Sequence, residues 1–147
     1  MLFNLMKKTN KDKSNRTDEF DKIIWSYDIM LDMRRNNKTY TDMFEKYGYK
    51  NIAIYGMGRV GKALVKELEN SNIDIAYAID QNSRIEYENL EIKSLDDALP
   101  KVDVMFVTIE VTEELEKMLY EKVDCAVIEW MTFLMTEYKI QNQKVKK

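Results

Sequence analysis

Apolar residues return in two different rhythms along this chain, and the change of rhythm near residue 50 divides it. Before that point Phe20, Ile23, Ile24, Tyr27, Met30 and Leu31 recur at three- and four-residue steps, which makes one stripe on a helix. Acids Asp18, Glu19 and Asp21 stand in its first turn and Arg34, Arg35 and Lys38 near its end, as a helix dipole favours. Thr17 is the expected N-cap. A second short helix is expected from Thr41 to Tyr47, stopped by Gly48 in a left-handed conformation. Residues 7–17 are almost wholly polar and show no periodicity, so residues 1–17 read as a disordered tail and 18–48 as a helical extension.

After residue 50 strands and helices alternate. Ile52 to Tyr55 is a short apolar run suited to a strand buried on both faces. Val60, Ala63, Leu64 and Leu68 mark a helix, and Ile73 to Asp80 a second strand ending on an acid. The polar stretch Gln81 to Leu90 is too short for a full crossover helix, and Leu90 to Lys93 reads as a short edge strand. Ser94-Leu95-Asp96-Asp97 resembles a capping box opening a helix of one or two turns, stopped by Pro100. A strand from Val102 to Ile109, a helix from Thr112 to Glu121, a strand from Cys125 to Ile128 and a helix from Trp130 to Ile140 complete the series. Residues 141–147 are expected to be a solvated tail. The pattern predicts an α/β, Rossmann-like open parallel sheet of about five strands, order 3-2-1-4-5, over residues 49–140.

The first strand runs into Gly56-Met57-Gly58-Arg59-Val60-Gly61, a Gly-x-Gly-x-x-Gly pattern inside which the next helix begins. Each glycine has a distinct expected task. Gly56 permits the turn, Gly58 lets a phosphate approach bare backbone, and Gly61 lets the helix lie close to the strand. Main-chain N–H groups around Arg59 to Lys62 would face an anion, with Arg59 and Lys62 adding charge, and Met57 belongs to the same cofactor-binding turn. Asp80 follows the glycines by about twenty residues, where it could accept from a ribose 2′-hydroxyl, with Gln81 beside it. Asp80-Gln81-Asn82-Ser83 is also a turn composition in its own right. An acid there repels a 2′-phosphate, which places NAD ahead of NADP. Thr108 ends the fourth strand across the switch point and is a candidate ligand contact, while Glu110, Glu129 and Trp130 lie near it.

Composition narrows the chemistry. Net charge is −3 with acids and bases interspersed, which gives no field for nucleic acid. There is no histidine, so the commonest general base and the usual metal-ligand sets are missing, and neither a catalytic nor a metal-binding residue is assigned. The single cysteine, Cys125, suits a reducing cytoplasm and reads as a small core residue. The N-terminal Met1 to Lys8 is too short and too interrupted for a transmembrane or signal segment.

The span from about Tyr49 to Tyr138 resembles the small Rossmann-like domains of bacterial polysaccharide biosynthesis. These include the N-terminal domains of nucleoside-diphosphate-sugar epimerase/dehydratases and of sugar O-acyltransferases. The resemblance rests on Ile54-Tyr55-Gly56-Met57-Gly58-Arg59-Val60-Gly61-Lys62, on Ala78-Ile79-Asp80-Gln81-Asn82, on Leu90-Glu91-Ile92-Lys93-Ser94-Leu95-Asp96-Asp97 and on the strand from Val102 to Thr108. It implies a nucleotide, nucleotide-sugar or CoA-like ligand and a separate catalytic domain. The resulting expectation is a bacterial, cytoplasmic nucleotide-binding module, NAD first and NADP, nucleotide-sugar or CoA behind, accessory to surface-sugar metabolism. A homodimer or a partner enzyme would meet the first helix. An interaction scaffold with a vestigial glycine turn is the alternative, and a self-sufficient hydride-transfer enzyme comes third.

Overall fold

A computed structural model describes residues 11–82 and 84–145. The expected disorder of residues 1–10 and the last two residues of the expected tail lie outside them. The elements are α1 (Lys11–Arg35), α2 (Tyr40–Lys46), β1 (Asn51–Tyr55), α3 (Arg59–Leu68), β2 (Asp74–Ile79), β3 (Ile92–Lys93), β4 (Val104–Val107), α4 (Glu113–Lys122), β5 (Ala126–Glu129) and α5 (Trp130–Val145). All five strands are parallel, in the order β3-β2-β1-β4-β5, as the alternation of patterns predicts. Period-two alternation on the central strands divides the core in two. Ile52, Ile54, Val104 and Phe106 face one side, where Met33, Phe44, Leu64 and Leu134 bring α1, α2, α3 and α5 against them. Ala53, Tyr55, Met105 and Val107 face the other, covered by Leu115 and Leu119 of α4. The β1-to-β2 and β4-to-β5 crossovers therefore lie on opposite faces, which opens a crevice at the carboxyl ends of β1 and β4.

The helices ahead of the sheet are part of its cover. Thr39 caps α2 through a reciprocal box with Asp42, and Gly48 ends it at φ +73°. Phe44 has no solvent exposure and sits 5.2 Å from the Phe106 ring and 5.6 Å from Phe133, which fastens α2 to both β4 and α5. At the same end, the buried Glu137 carboxylate accepts from the Tyr47 hydroxyl and from Lys46 Nζ at 3.1 Å. Each group's own hydrogen bond to Glu137 raises its pKa above the ordinary value.

Most strand and helix ends fall within two residues of the pattern, and three features depart further from it. The first helix starts at Lys11, so Thr17 lies inside it and does not cap it, and residues 11–17 are helical. Lys, Asp, Ser, Asn and Arg are compatible with helix once a packed segment downstream has nucleated it. The box at Ser94 forms, with Ser94 N–H donating to Asp97 Oδ2 at 2.8 Å, but it closes a turn, because Pro100 follows too soon for a helix. The last helix continues to Val145, through most of the expected tail.

Asp103 fixes the entry to the sheet. Its Oδ2 accepts from the N–H groups of Lys50 and Asn51, both at 2.9 Å, and these two bonds, Asn51 first, hold its carboxyl below the ordinary carboxylate range. A lowered folded pKa stabilises the fold above the unfolded value near ~4 and stops doing so as pH falls through the folded value. Asp103→Asn should therefore lower the melting temperature by about a few degrees at pH 7. The gap to wild type should close on acidification to about pH 2, followed by circular dichroism melts across that range.

Candidate functional site

The crevice is built on the backbone between β1 and α3. Gly56 adopts φ +101°, and its N–H donates to Ile79 O at 2.7 Å, tying the turn to the end of β2. A Cβ on Gly56 would lie 2.6 Å from Thr108 Oγ1, so β4 also excludes a side chain there. At Gly61 a Cβ would lie 2.1 Å from the Gly56 carbonyl oxygen, and only glycine lets α3 approach the strand this closely. Gly58 is different. Its φ of −76° is open to any residue, and a Cβ there would meet nothing within 4 Å. What Gly58 preserves is empty space over the start of α3.

That start is electropositive. Lys62 N–H makes the first intrahelical bond, to Gly58 O at 3.0 Å, so α3 offers no acceptor to the N–H groups of Arg59, Val60 and Gly61. Gly58, Arg59 and Val60 line the crevice together with Thr108, Ile109 and Glu110 of the β4–α4 loop, Glu129 at the end of β5, and Trp130 and Met131 at the start of α5. Met57 is fully buried and lies outside the crevice lining, with its N–H donating to Asp80 Oδ2.

Asp80 performs a task that its spacing did not reveal. Its Oδ2 accepts from Met57 N–H at 2.7 Å and its Oδ1 from Asn82 N–H at 2.8 Å. The carboxylate is thus both a turn acid and a clamp on the glycine loop. Each oxygen retains lone-pair capacity for a further donor such as a ribose hydroxyl. Gln81 is exposed beside it. Thr108 is buried, and its hydroxyl is within hydrogen-bonding distance of Gly56 O at 2.7 Å and Tyr55 O at 3.0 Å, so its proton is used inside the protein. Cys125 is half-buried at the opposite end of the sheet, and burial raises its thiol pKa.

Sequence reasoning missed one wall of the crevice. Glu19, Lys22 and Ile23 of α1 line it opposite the glycine turn, and Lys22 pairs with Glu110 across it at 3.5 Å. No local signal could have shown this, since the residues come together only when α1 folds over the sheet. Among the described residues no cluster of His, Cys, Asp and Glu could hold a metal, and no helix is long and apolar enough to cross a membrane.

A parallel sheet of this order, with a glycine turn, a bare helix start and an acid closing the second strand, defines a Rossmann-like nucleotide-binding domain. The model of the D-isomer specific 2-hydroxyacid dehydrogenase NAD binding domain matches residues 6–123, and the chain belongs to that family. Its cofactor is NAD. The match begins before α1, so the two leading helices fall within the family's unit. A glyoxylate reductase of Pyrococcus horikoshii is 32% identical over 81 residues, which is 54% of this chain and 24% of that protein. The aligned part thus spans about a quarter of that relative's length. No solved structure matches the chain significantly. The match corrects the resemblance drawn from the sequence: the nucleotide-binding, Rossmann-like character stands, but the family is this one and not the polysaccharide-biosynthesis families named above.

The residues fit NAD. The open space at Gly58 and the N–H groups of Arg59, Val60 and Gly61 suit a diphosphate, and Asp80 is held where the second strand ends.

Proposed function

We propose that this chain is an NAD-binding module serving a partner enzyme, with the diphosphate over Gly58 and the adenosine ribose at Asp80. The observation that carries this reading is the open space at Gly58, beside glycines at which a side chain would collide. When bound, the nicotinamide supplies a hydride acceptor or donor. The chain's own residues bind and orient. The start of α3 neutralises the diphosphate, Asp80 holds the loop and discriminates against a 2′-phosphate, and Lys22 with Glu110 borders the nicotinamide side. Arg59, Val60 and Gly61 act through the main chain, while Gln81 and Thr108 contribute only at the margin, the latter through the loop it braces.

The remainder of the reading has other support. A place in bacterial surface-polysaccharide or nucleotide-sugar metabolism, in the cytoplasm, rests on the resemblance of residues 49–138. Reduction of glyoxylate, the activity in the relative's name, is a third reading behind the scaffold, because the titratable side chains lining the crevice are Glu19, Lys22, Arg59, Glu110 and Glu129. The scaffold reading is favoured by one observation, the exposed apolar face of α1.

Thermal-shift titration with NAD, NADP, a nucleotide-sugar and CoA separates the ligands. NAD should raise the melting temperature most. Asp80→Ala should weaken NAD about tenfold, or ~1.4 kcal/mol, and bring the NAD and NADP affinities together. Equal affinities already in the wild type would remove Asp80 as the discriminating group.

A further inference from the structure

A second cleft, of about 540 Å³, opens away from the nucleotide crevice, between the end of α1, α2 and α5. Small-molecule sites have volumes of roughly 300–1,000 Å³. The family match ends at residue 123, so the α5 wall of this cleft lies outside it. Met33 and Met43, both buried, and the half-buried Ile140 supply apolar lining. The charged lining carries both signs, Lys38 and Lys46 against Asp42 and Glu137. Much of it still has capacity. Lys38 makes no ion pair with a described residue. Lys46 Nζ reaches the two oxygens of the buried Glu137 at 3.1 and 3.4 Å, which leaves it a third proton. Asp42 Oδ2 takes both bonds from Thr39 and leaves Oδ1 unused. Gln141 completes the lining. Its amide Nε2 and Oε1 are both shielded from solvent, and neither has a hydrogen-bond partner among the described residues. A buried donor and acceptor left unmade together are costly, and a folded chain keeps such a pair only where something else satisfies it.

We propose that this cleft binds a zwitterionic α-amino acid with an apolar side chain. The Gln141 amide sets the class. It needs an acceptor and a donor side by side, and an α-amino acid carries a carboxylate and an ammonium on one carbon. The carboxylate takes the Gln141 N–H, with the ammonium groups of Lys38 and Lys46 near it. The ligand's own ammonium donates to Gln141 Oε1 and to Asp42 Oδ1. Charge agrees with this choice. The lining holds two cations and two anions, so a dipolar ligand of zero net charge complements it, whereas a simple anion or cation meets one like-charged pair. Met33, Met43 and Ile140 receive the side chain, and methionine adapts readily to irregular apolar shapes. Glu137 holds Lys46 in position through its two contacts. The site goes beyond the NAD reading and shares no lining residue with the nucleotide crevice.

Isothermal titration of L-leucine into the intact chain without nucleotide is the test, with L-methionine and L-phenylalanine alongside. At least one should bind saturably, and analogues with a single charge should bind at least about tenfold more weakly. For leucine these are 4-methylpentanoate, which lacks the ammonium, and 3-methylbutylamine, which lacks the carboxylate. Gln141→Leu should weaken the amino acid at least about tenfold while keeping or raising the melting temperature, because it removes the unpaired amide. Lys38→Gln, at an exposed position, should weaken binding about threefold to tenfold with no change in melting. No saturable binding of any of the three amino acids at about 10 mM by the folded chain overturns the proposal. So does equal binding of a single-charge analogue, full affinity in either variant, or a lower melting temperature in Gln141→Leu. NAD affinity should be unchanged in both variants, so this proposal and the NAD reading fail in separate titrations.

Discussion

Gly58→Val should abolish detectable NAD binding while leaving the chain folded. The backbone at Gly58 is accessible to valine, and the new Cβ meets no atom of the protein within 4 Å. Gly58 is also the N-cap of α3, where valine is poorer than glycine, so a stability loss of about 1 kcal/mol is expected. That corresponds to about 2–4 °C for a chain of this size. The two branches of the side chain nevertheless enter the space through which a diphosphate must reach the N–H groups of Arg59 to Gly61. A loss of at least about 100-fold in affinity, ~2.7 kcal/mol, is expected by calorimetry. Retained binding at near wild-type strength would mean that the ligand does not lie over the start of α3.

Gly61→Ala should do the opposite, damaging the fold before any ligand is added. Helix propensity alone predicts a gain of about 1 kcal/mol, since alanine is the better helix former. Sterics outweigh it. The added Cβ lies 2.1 Å from Gly56 O, and that turn is held by the Gly56 N–H bond to Ile79 O and by the Thr108 hydroxyl on Gly56 O. No flexible side chain can yield, so α3 must lift from β1 and open the packing of Val60, Leu64 and Val65. Overpacking against backbone costs about 3 kcal/mol, and net of the propensity gain the midpoint should fall by roughly 4–8 °C. An unchanged or higher melting temperature would show that propensity, not close approach, governs this position.

These two substitutions also mark what the sequence could and could not disclose. The strands, their order and the glycine turn were legible because each depends on local patterning, namely apolar runs with β-leaning residues, helical spacing, and glycine where backbone must turn or approach. Gly58 and Gly61 look alike in the motif, yet one guards empty space and the other a 2.1 Å collision, a difference set by tertiary packing. Asp80 was placed correctly at the end of β2, but its bond to Met57 N–H joins residues 23 apart and has no local signature. Thr108 looked like a ligand contact because it ends β4, and its hydroxyl turns inward because Gly56 O needs a donor there. The Ser94 box was read as a helix start, and its hydrogen bond is present, but capping satisfies a first turn without supplying the residues to extend it. The stripe on α1 was readable as amphipathic, although not as two faces, because period alone cannot say which apolar residues the sheet will cover. Its contact with the crevice was invisible for the same reason.

Isothermal titration of NAD into the intact chain should show saturable binding of one NAD per chain, with affinity lost in Gly58→Val and weakened in Asp80→Ala. Absence of any heat of binding from a folded wild-type chain, or equal binding by Gly58→Val, would contradict NAD binding over the start of α3.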